Sequence, residues 1–142
     1  MQKILTLVNG VPRLVEEIFG AYYQDVESLV PQANNTTTFN TLLTINTPVV
    51  TAGRYAIAYD ALYSFSVTNR DALYRMQVDG VTVYDSTERV VNSAADQKIS
   101  AEGFKKINLT AATHTITLQF AVSGGTPTFN VKECRLEFFR VE

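Results

Sequence analysis

Leu73-Tyr-Arg-Met-Gln-Val-Asp-Gly-Val-Thr-Val-Tyr-Asp85 is the stretch whose reading decides the fold. Asp79-Gly80 is the two-residue loop that a type I′ turn prefers, because both of its central positions need positive φ. Such a turn sets the register of its flanks. Val78 is expected to face Val81, and Met76 to face Val83, on one apolar side. Gln77 then faces Thr82, and Arg75 faces Tyr84, on the other. The expectation is a half-buried antiparallel hairpin with a wet side, the unit from which sandwiches are built.

Working outward, the same period of two recurs. Tyr55, Ile57, Tyr59, Ala61, Tyr63, Phe65 and Val67 occupy every odd position of one segment, which predicts a long strand with one buried face. Strands usually run to about 5–6 residues, so either a bend near Asp60-Ala61 or a strand shared between two sheets is expected. His114, Ile116, Leu118, Phe120 and Val122 alternate with Thr113, Thr115, Thr117 and Gln119. Phe39, Thr41, Leu43 and Ile45 alternate upstream, and residues 86–103 read as less regular, with a short strand at Arg89-Val-Val91. In the last strand Phe129 and Val131 lie in one phase, and Cys134, Leu136 and Phe138 in the other. A β-bulge near Lys132-Glu133 accounts for that shift. Some eight to ten short strands with frequent turn signals predict an all-β, antiparallel β-sandwich or jelly roll over residues 36–142.

Residues 1–35 read differently, as an N-terminal arm. Leu5 to Val8 and Val11 to Val15 flank Asn9-Gly10, a second type I′ signal, and Pro12 confines that hairpin to an edge or to a place outside a sheet. Leu14, Val15, Ile18, Phe19 and Tyr22 follow helical spacing interrupted by Gly20, so a short helix and an extended arm both stand. Pro31 to Thr38 reads as a linker.

Composition limits the function classes. The 142 residues carry 12 Lys and Arg against 14 Asp and Glu, a net charge of −2, without a basic run, so a nucleic-acid partner is not expected. A single cysteine, Cys134, excludes an internal disulfide framework, and no apolar stretch is long enough to predict a membrane span. The N-terminal apolar run stops at Asn9-Gly10 with no small-residue cleavage site, so it is not read as a signal peptide, and synthesis in a cytoplasm is expected.

Chemistry is sparse. His114 is the one histidine, and it reads as a strand-start residue rather than the centre of a triad or a metal site. Cys134 shares its phase with Leu136 and Phe138 and reads as a small buried hydrophobe. Asp60, Asp79, Asp85 and Asp96 fall at turns or bends, where carboxylates bond backbone N–H groups. No Asp-x-Asp spacing supports a calcium loop, and Gly124-Gly125 is a hairpin loop rather than a phosphate cradle. Asn34, Asn35 and Asn108 begin sequons that matter only in a secretory pathway. The chain is expected to be non-enzymatic, without cofactor or metal.

Two groups of residues carry a resemblance. Leu5-Thr-Leu-Val-Asn-Gly-Val-Pro-Arg13 resembles the start of small tailed-bacteriophage virion proteins. Gly53-Arg-Tyr-Ala-Ile57, Gln77-Val-Asp-Gly80, Thr113-His-Thr-Ile-Thr-Leu118 and Arg135-Leu-Glu137 are similar to the jelly-roll modules of phage decoration (cement) proteins and tail fibres. The resemblance implies a virion protein, made in a bacterial host, that braces a capsid as a homodimer or homotrimer by contact with major capsid or tail subunits. It implies no catalytic residue. The long repetitive shaft of a tail fibre is missing, which favours bracing over receptor binding. Leu5, Leu7, Val8, Leu14, Ile18, Phe19, Tyr22 and Tyr23 in the arm, with Arg75 and Tyr84 on the hairpin's wet face, are the expected partner-binding residues. The arm can dock on a neighbour or fold back on its own sandwich. The alternative is a tail-associated or free carbohydrate-binding module using exposed aromatics.

Overall fold

The computed structural model describes residues 5–8, 11–14, 23–90, 95–124 and 127–141. Its strands are β1 (Leu5–Val8), β2 (Val11–Leu14), β3 (Gln24–Ser28), β4 (Gln32–Asn34), β5 (Asn40–Asn46), β6 (Gly53–Phe65), β7 (Arg70–Val78), β8 (Val81–Val90), β9 (Ile99–Leu109), β10 (Thr115–Val122) and β11 (Phe129–Arg140). Among the described residues no helix is long and apolar enough to cross a membrane. Two antiparallel sheets form a β-sandwich: one runs β5-β10-β7-β8, the other β3-β11-β6-β9, with β4 also on β11.

The alternating segments fill the space between the sheets. Tyr55, Ile57, Tyr59, Ala61, Tyr63 and Phe65 are buried from β6, and Ile116, Leu118, Phe120 and Val122 from β10. Val67 falls past the end of β6 and is 38% exposed. β6 is one 13-residue strand held within one sheet, so it is not shared between the two. Its partner β11 carries the irregularity, a register shift between Val131 and Glu133. This is the expected bulge, and it keeps Phe129 and Val131 inward along with Cys134, Leu136 and Phe138.

The central hairpin forms with φ of 51° at Asp79 and 79° at Gly80, which is type I′ geometry. Its register departs from expectation after two pairs. Val78 faces Val81 and Gln77 faces Thr82, but Met76 then faces Tyr84 and Arg75 faces Asp85. Val83 is the extra residue of a bulge. The bulge turns Tyr84 towards the core, where its ring meets Tyr59 at 6.3 Å, and gives Arg75 an ion-pair partner in Asp85 at 2.7 Å. Val81, expected in the core, is 66% exposed.

A third bulge, between Leu118 and Gln119 on the β5–β10 ladder, leaves Leu42 unpaired. Leu42 and Leu43 are consequently both buried, and Phe39 leaves the core phase to lie under the Arg75 guanidinium at 4.0 Å. Residues 86–90 simply continue β8, and β9 begins at Ile99 and runs for 11 residues, so the irregular region is shorter than expected.

The assignment of residues 1–35 to an arm needs correction. β3 pairs Cys134–Phe138 of β11, and β4 pairs Phe129–Val131 of the same strand, on either side of its bulge. Residues 24–34 are thus an edge of the sandwich, and the expected linker contains β4. Asn34 locks this edge in place. Its side-chain amide donates to the carbonyls of Thr38 (2.9 Å) and Phe120 (3.0 Å), and its oxygen accepts from the Thr36 N–H at 2.9 Å. At 4% exposure this sequon asparagine is structural. Asn34→Ala removes these bonds and one from the Thr36 hydroxyl at 3.0 Å, and is expected to lower the unfolding free energy by about 1–3 kcal/mol in urea titration. Asn35→Ala, one residue along and exposed, serves as the neutral comparison.

Candidate interaction surfaces

Leu5, Leu7, Val8 and Leu14 lie in a hairpin with the register Leu5↔Leu14, Leu7↔Pro12 and Val8↔Val11. Among the described residues this sheet has two strands and joins neither layer of the sandwich. Ile18, Phe19 and Tyr22, and the helical spacing read through residues 15–22, lie outside the described residues.

Tyr23 precedes β3, whose polar sequence places Asp25 and Glu27 outward, opposite Glu137 and Arg135 of β11. Arg135 Nη2 reaches the Tyr23 hydroxyl at 2.7 Å, Asp25 Oδ2 at 3.1 Å and Glu137 Oε1 at 3.0 Å. The Tyr23 hydroxyl in turn donates to Glu137 Oε1 at 3.2 Å. Tyr23 is therefore tied to the outer face of the sandwich, although 45% exposed. On β6, Asp60 stands in register with Arg135 on one side and Glu102 of β9 on the other. Burial pushes the Asp60 carboxyl above its ordinary range; Arg135 opposes this, while Glu137 and Glu27 add to it.

Small residues keep this face open. A cleft of about 560 Å³ lies over Ala58 and Gly103, walled by Phe104 and by Asp60, Glu102 and Glu137. Phe104 is 50% exposed, because it points away from the core while Ala101, Ile107 and Leu109, in the opposite phase, pack inward. At the end of the same sheet, Arg54, Lys106 and Arg140 line a second cleft of about 710 Å³ with Asn108. One sheet face thus has an acidic middle and a basic end. Sequence reading missed both, since the charges come from β3, β6, β9 and β11 and meet only through pairing.

Arg75 and Tyr84, expected side by side on the hairpin's wet face, are not brought together. Arg75 lies between Asp85 and the Phe39 ring on the outside, whereas Tyr84 packs against the core.

The turn of the central hairpin makes a close polar contact with the start of β10. Asp79 Oδ1 accepts the Thr115 N–H at 2.8 Å, and Oδ2 lies 2.7 Å from His114 Nδ1. His114 Nε2 is 3.1 Å from the Thr110 carbonyl oxygen, and its backbone N–H donates to Thr47 Oγ1 at 2.8 Å. The expected roles hold, a strand-start histidine and a turn carboxylate on backbone N–H, but their pairing was not foreseen. Burial acts to lower the His114 pKa; the bonds from the Asp79 carboxylate and the Thr110 carbonyl outweigh it, and the net shift is upward. The His114 bond, then the Thr115 N–H, hold Asp79 below the ordinary carboxylate range. Cys134 is buried, and burial pushes its thiol up to about 11, the setting of an inert sulfur. Among the described residues no three His, Cys, Asp or Glu side chains group as a metal site.

No protein-family model matches the chain, and no curated protein sequence matches it either. Solved structures share its fold. The infectious bursal disease virus structure of the Gt strain matches with a TM-score of 0.58 at 12% identity, over 99% of this chain and 38% of the viral one. The VP2 subviral particle of infectious bursal disease virus matches at 0.51 and 13% identity, over 100% and 42%. Eiger TNF from S. frugiperda matches at 0.55 and 8% identity, over 85% and 94%. The chain has the β-sandwich fold of these viral proteins and spans well under half of their length.

Proposed function

We propose that this chain is a non-enzymatic structural protein of a virion, which decorates and braces a capsid by binding its subunits as a small homo-oligomer. The observation that carries the reading is the β1–β2 hairpin. Among the described residues it is a two-stranded sheet that joins neither sandwich sheet, and an isolated two-stranded hairpin is at best marginally stable in water. Its cross-strand pairs are Leu5 with Leu14, Leu7 with Pro12 and Val8 with Val11, and burying each large apolar side chain on a neighbour contributes roughly 1.5–3 kcal/mol. The capsid-type sandwich behind it supplies a rigid platform. The arm that would dock consists of residues 1–22, since residues 24–34 belong to the sheet edge.

The test is truncation at that boundary. The full chain is expected to sediment with purified virions. A chain starting at Tyr23 is expected to keep its β circular dichroism and thermal transition and to remain in the supernatant. Truncation at residue 35 is the wrong experiment, because it removes β3, β4 and the Asn34 lock. Full occupancy of the Tyr23 chain on the particle overturns the arm's role. Saturable binding to a polysaccharide, lost in Phe104→Ala, would transfer the function to the acidic cleft and to glycan recognition.

A further inference from the structure

We propose that His114 binds the Asp79 carboxylate beside the Asp79-Gly80 turn as an imidazolium, and that loss of its second proton opens this side-chain tie. The argument is one of donors and acceptors. The imidazole is 8% exposed as a residue, so water does not freely replace a lost partner. Nδ1 faces a carboxylate oxygen at 2.7 Å, and Nε2 faces a carbonyl oxygen at 3.1 Å. Both are acceptors only. A neutral imidazole has a single N–H, and either tautomer would aim a ring lone pair at an oxygen lone pair; the imidazolium satisfies both.

The elements around the ring present no competing charge. The β7–β8 turn brings Asp79, the β9–β10 loop brings the Thr110 carbonyl, and the end of β5 brings the uncharged Thr47. Among the described residues, Asp79 is the one ionisable side chain that acts on the ring. Strand β10 itself does not depend on the proton, because Thr47 N–H donates to the His114 carbonyl at 2.9 Å and Thr47 Oγ1 accepts the His114 N–H. The Asp79 N–H also donates to the Thr115 carbonyl at 2.8 Å, so the turn stays on β10 and the opening is local to the Asp79 carboxylate, the His114 ring and the β9–β10 loop.

The signs follow from the two shifts. The raised His114 pKa gives stability that is fully present below about pH 6.5 and is lost as pH rises through the folded-state value. The lowered Asp79 pKa gives stability that is present above about pH 3.9 and is lost as pH falls through its folded-state value. The latch is closed between these limits.

A single histidine makes the test direct. In protein labelled with ¹⁵N-histidine, both ring nitrogens are expected at imidazolium shifts at pH 6, with a midpoint above 6.5, and the Gly80 and Thr115 amides should titrate with the same midpoint. Asp79→Asn keeps an oxygen for the Thr115 N–H and tolerates the positive φ, so the turn survives; the His114 midpoint should fall below that of the parent. A midpoint at or below 6.5, a midpoint unmoved by Asp79→Asn, or amides that do not follow the ring would each overturn the latch.

Discussion

Phe129→Ala is expected to lower the unfolding free energy by about 3–5 kcal/mol, the loss seen for large rings removed from filled cores. Phe129 is fully buried at the start of β11. Four rings surround it: Phe65 stacked at 4.7 Å, Tyr63 and Phe120 both at 5.2 Å, and Tyr74 at 5.6 Å. These rings come from β6, β7 and β10 and so from both sheets. The cluster cannot close over the gap without moving the sheets together, and this places the loss high in its range. For a chain of this size the melting temperature should fall by roughly 10–20 °C. Phe129→Leu, which keeps most of the volume, should cost about 1.5 kcal/mol or less. Urea titrations should show the two midpoints well separated with a common slope. A loss under 1 kcal/mol for the alanine variant would mean that the aromatic cluster is not the centre of the core.

Most of that cluster was readable in advance because Tyr63, Phe65 and Phe120 sit in unbroken runs of alternation. Where alternation breaks, legibility depends on whether the break leaves a trace. Lys132 left one: apolar residues change phase across it within a single strand. Leu42 left none, because Leu42-Leu43 reads equally well in either phase, and the displaced Phe39 looked like one more core residue. Val83-Tyr84 hid its bulge in the same way. β3 was missed for a different reason. Gln24-Asp25-Val26-Glu27-Ser28 has one apolar residue, because an edge strand with a solvated outer face needs little more. Its strand character comes from β11, which offers an unpaired edge.

The candidate surfaces were less legible than the fold, for a topological reason. The His114–Asp79 contact joins residues 35 apart, and the Arg135 network joins β3 to β11 across more than a hundred residues. Neither spacing carries a signal until strand order is known. The arm's hairpin is the reverse case: its signal, Asn9-Gly10 between two short apolar runs, is local in the sequence, and β1 and β2 pair antiparallel. Local chemistry was therefore readable where function is proposed to lie, whereas the charge pattern of the outer face was not.

The same distinction gives the second large effect, at Gly103. Nothing in Ser100-Ala-Glu-Gly-Phe104 marks this glycine as special, yet a Cβ there would lie within 2.9 Å of Tyr59 Cδ1 and Cζ. The Tyr59 ring runs beneath β9 to reach β8, where its hydroxyl is 3.1 Å from Ser86 Oγ. It closes the gap between the two sheets at that side. The ring has no room to yield, with Tyr74 at 5.2 Å and Tyr84 at 6.3 Å. Gly103→Ala should therefore destabilise by about 1–3 kcal/mol through overpacking, although alanine is otherwise better suited than glycine to a strand. Tyr59→Leu alone should also destabilise, by leaving a void and losing the Ser86 bond. In the double variant the smaller side chain makes room for the new methyl, so the combined loss should be less than the sum of the two. A thermodynamic cycle from urea titrations reads this coupling directly. Simple additivity would mean that β9 moves away instead, and that the glycine is not what allows Tyr59 to bridge the sheets.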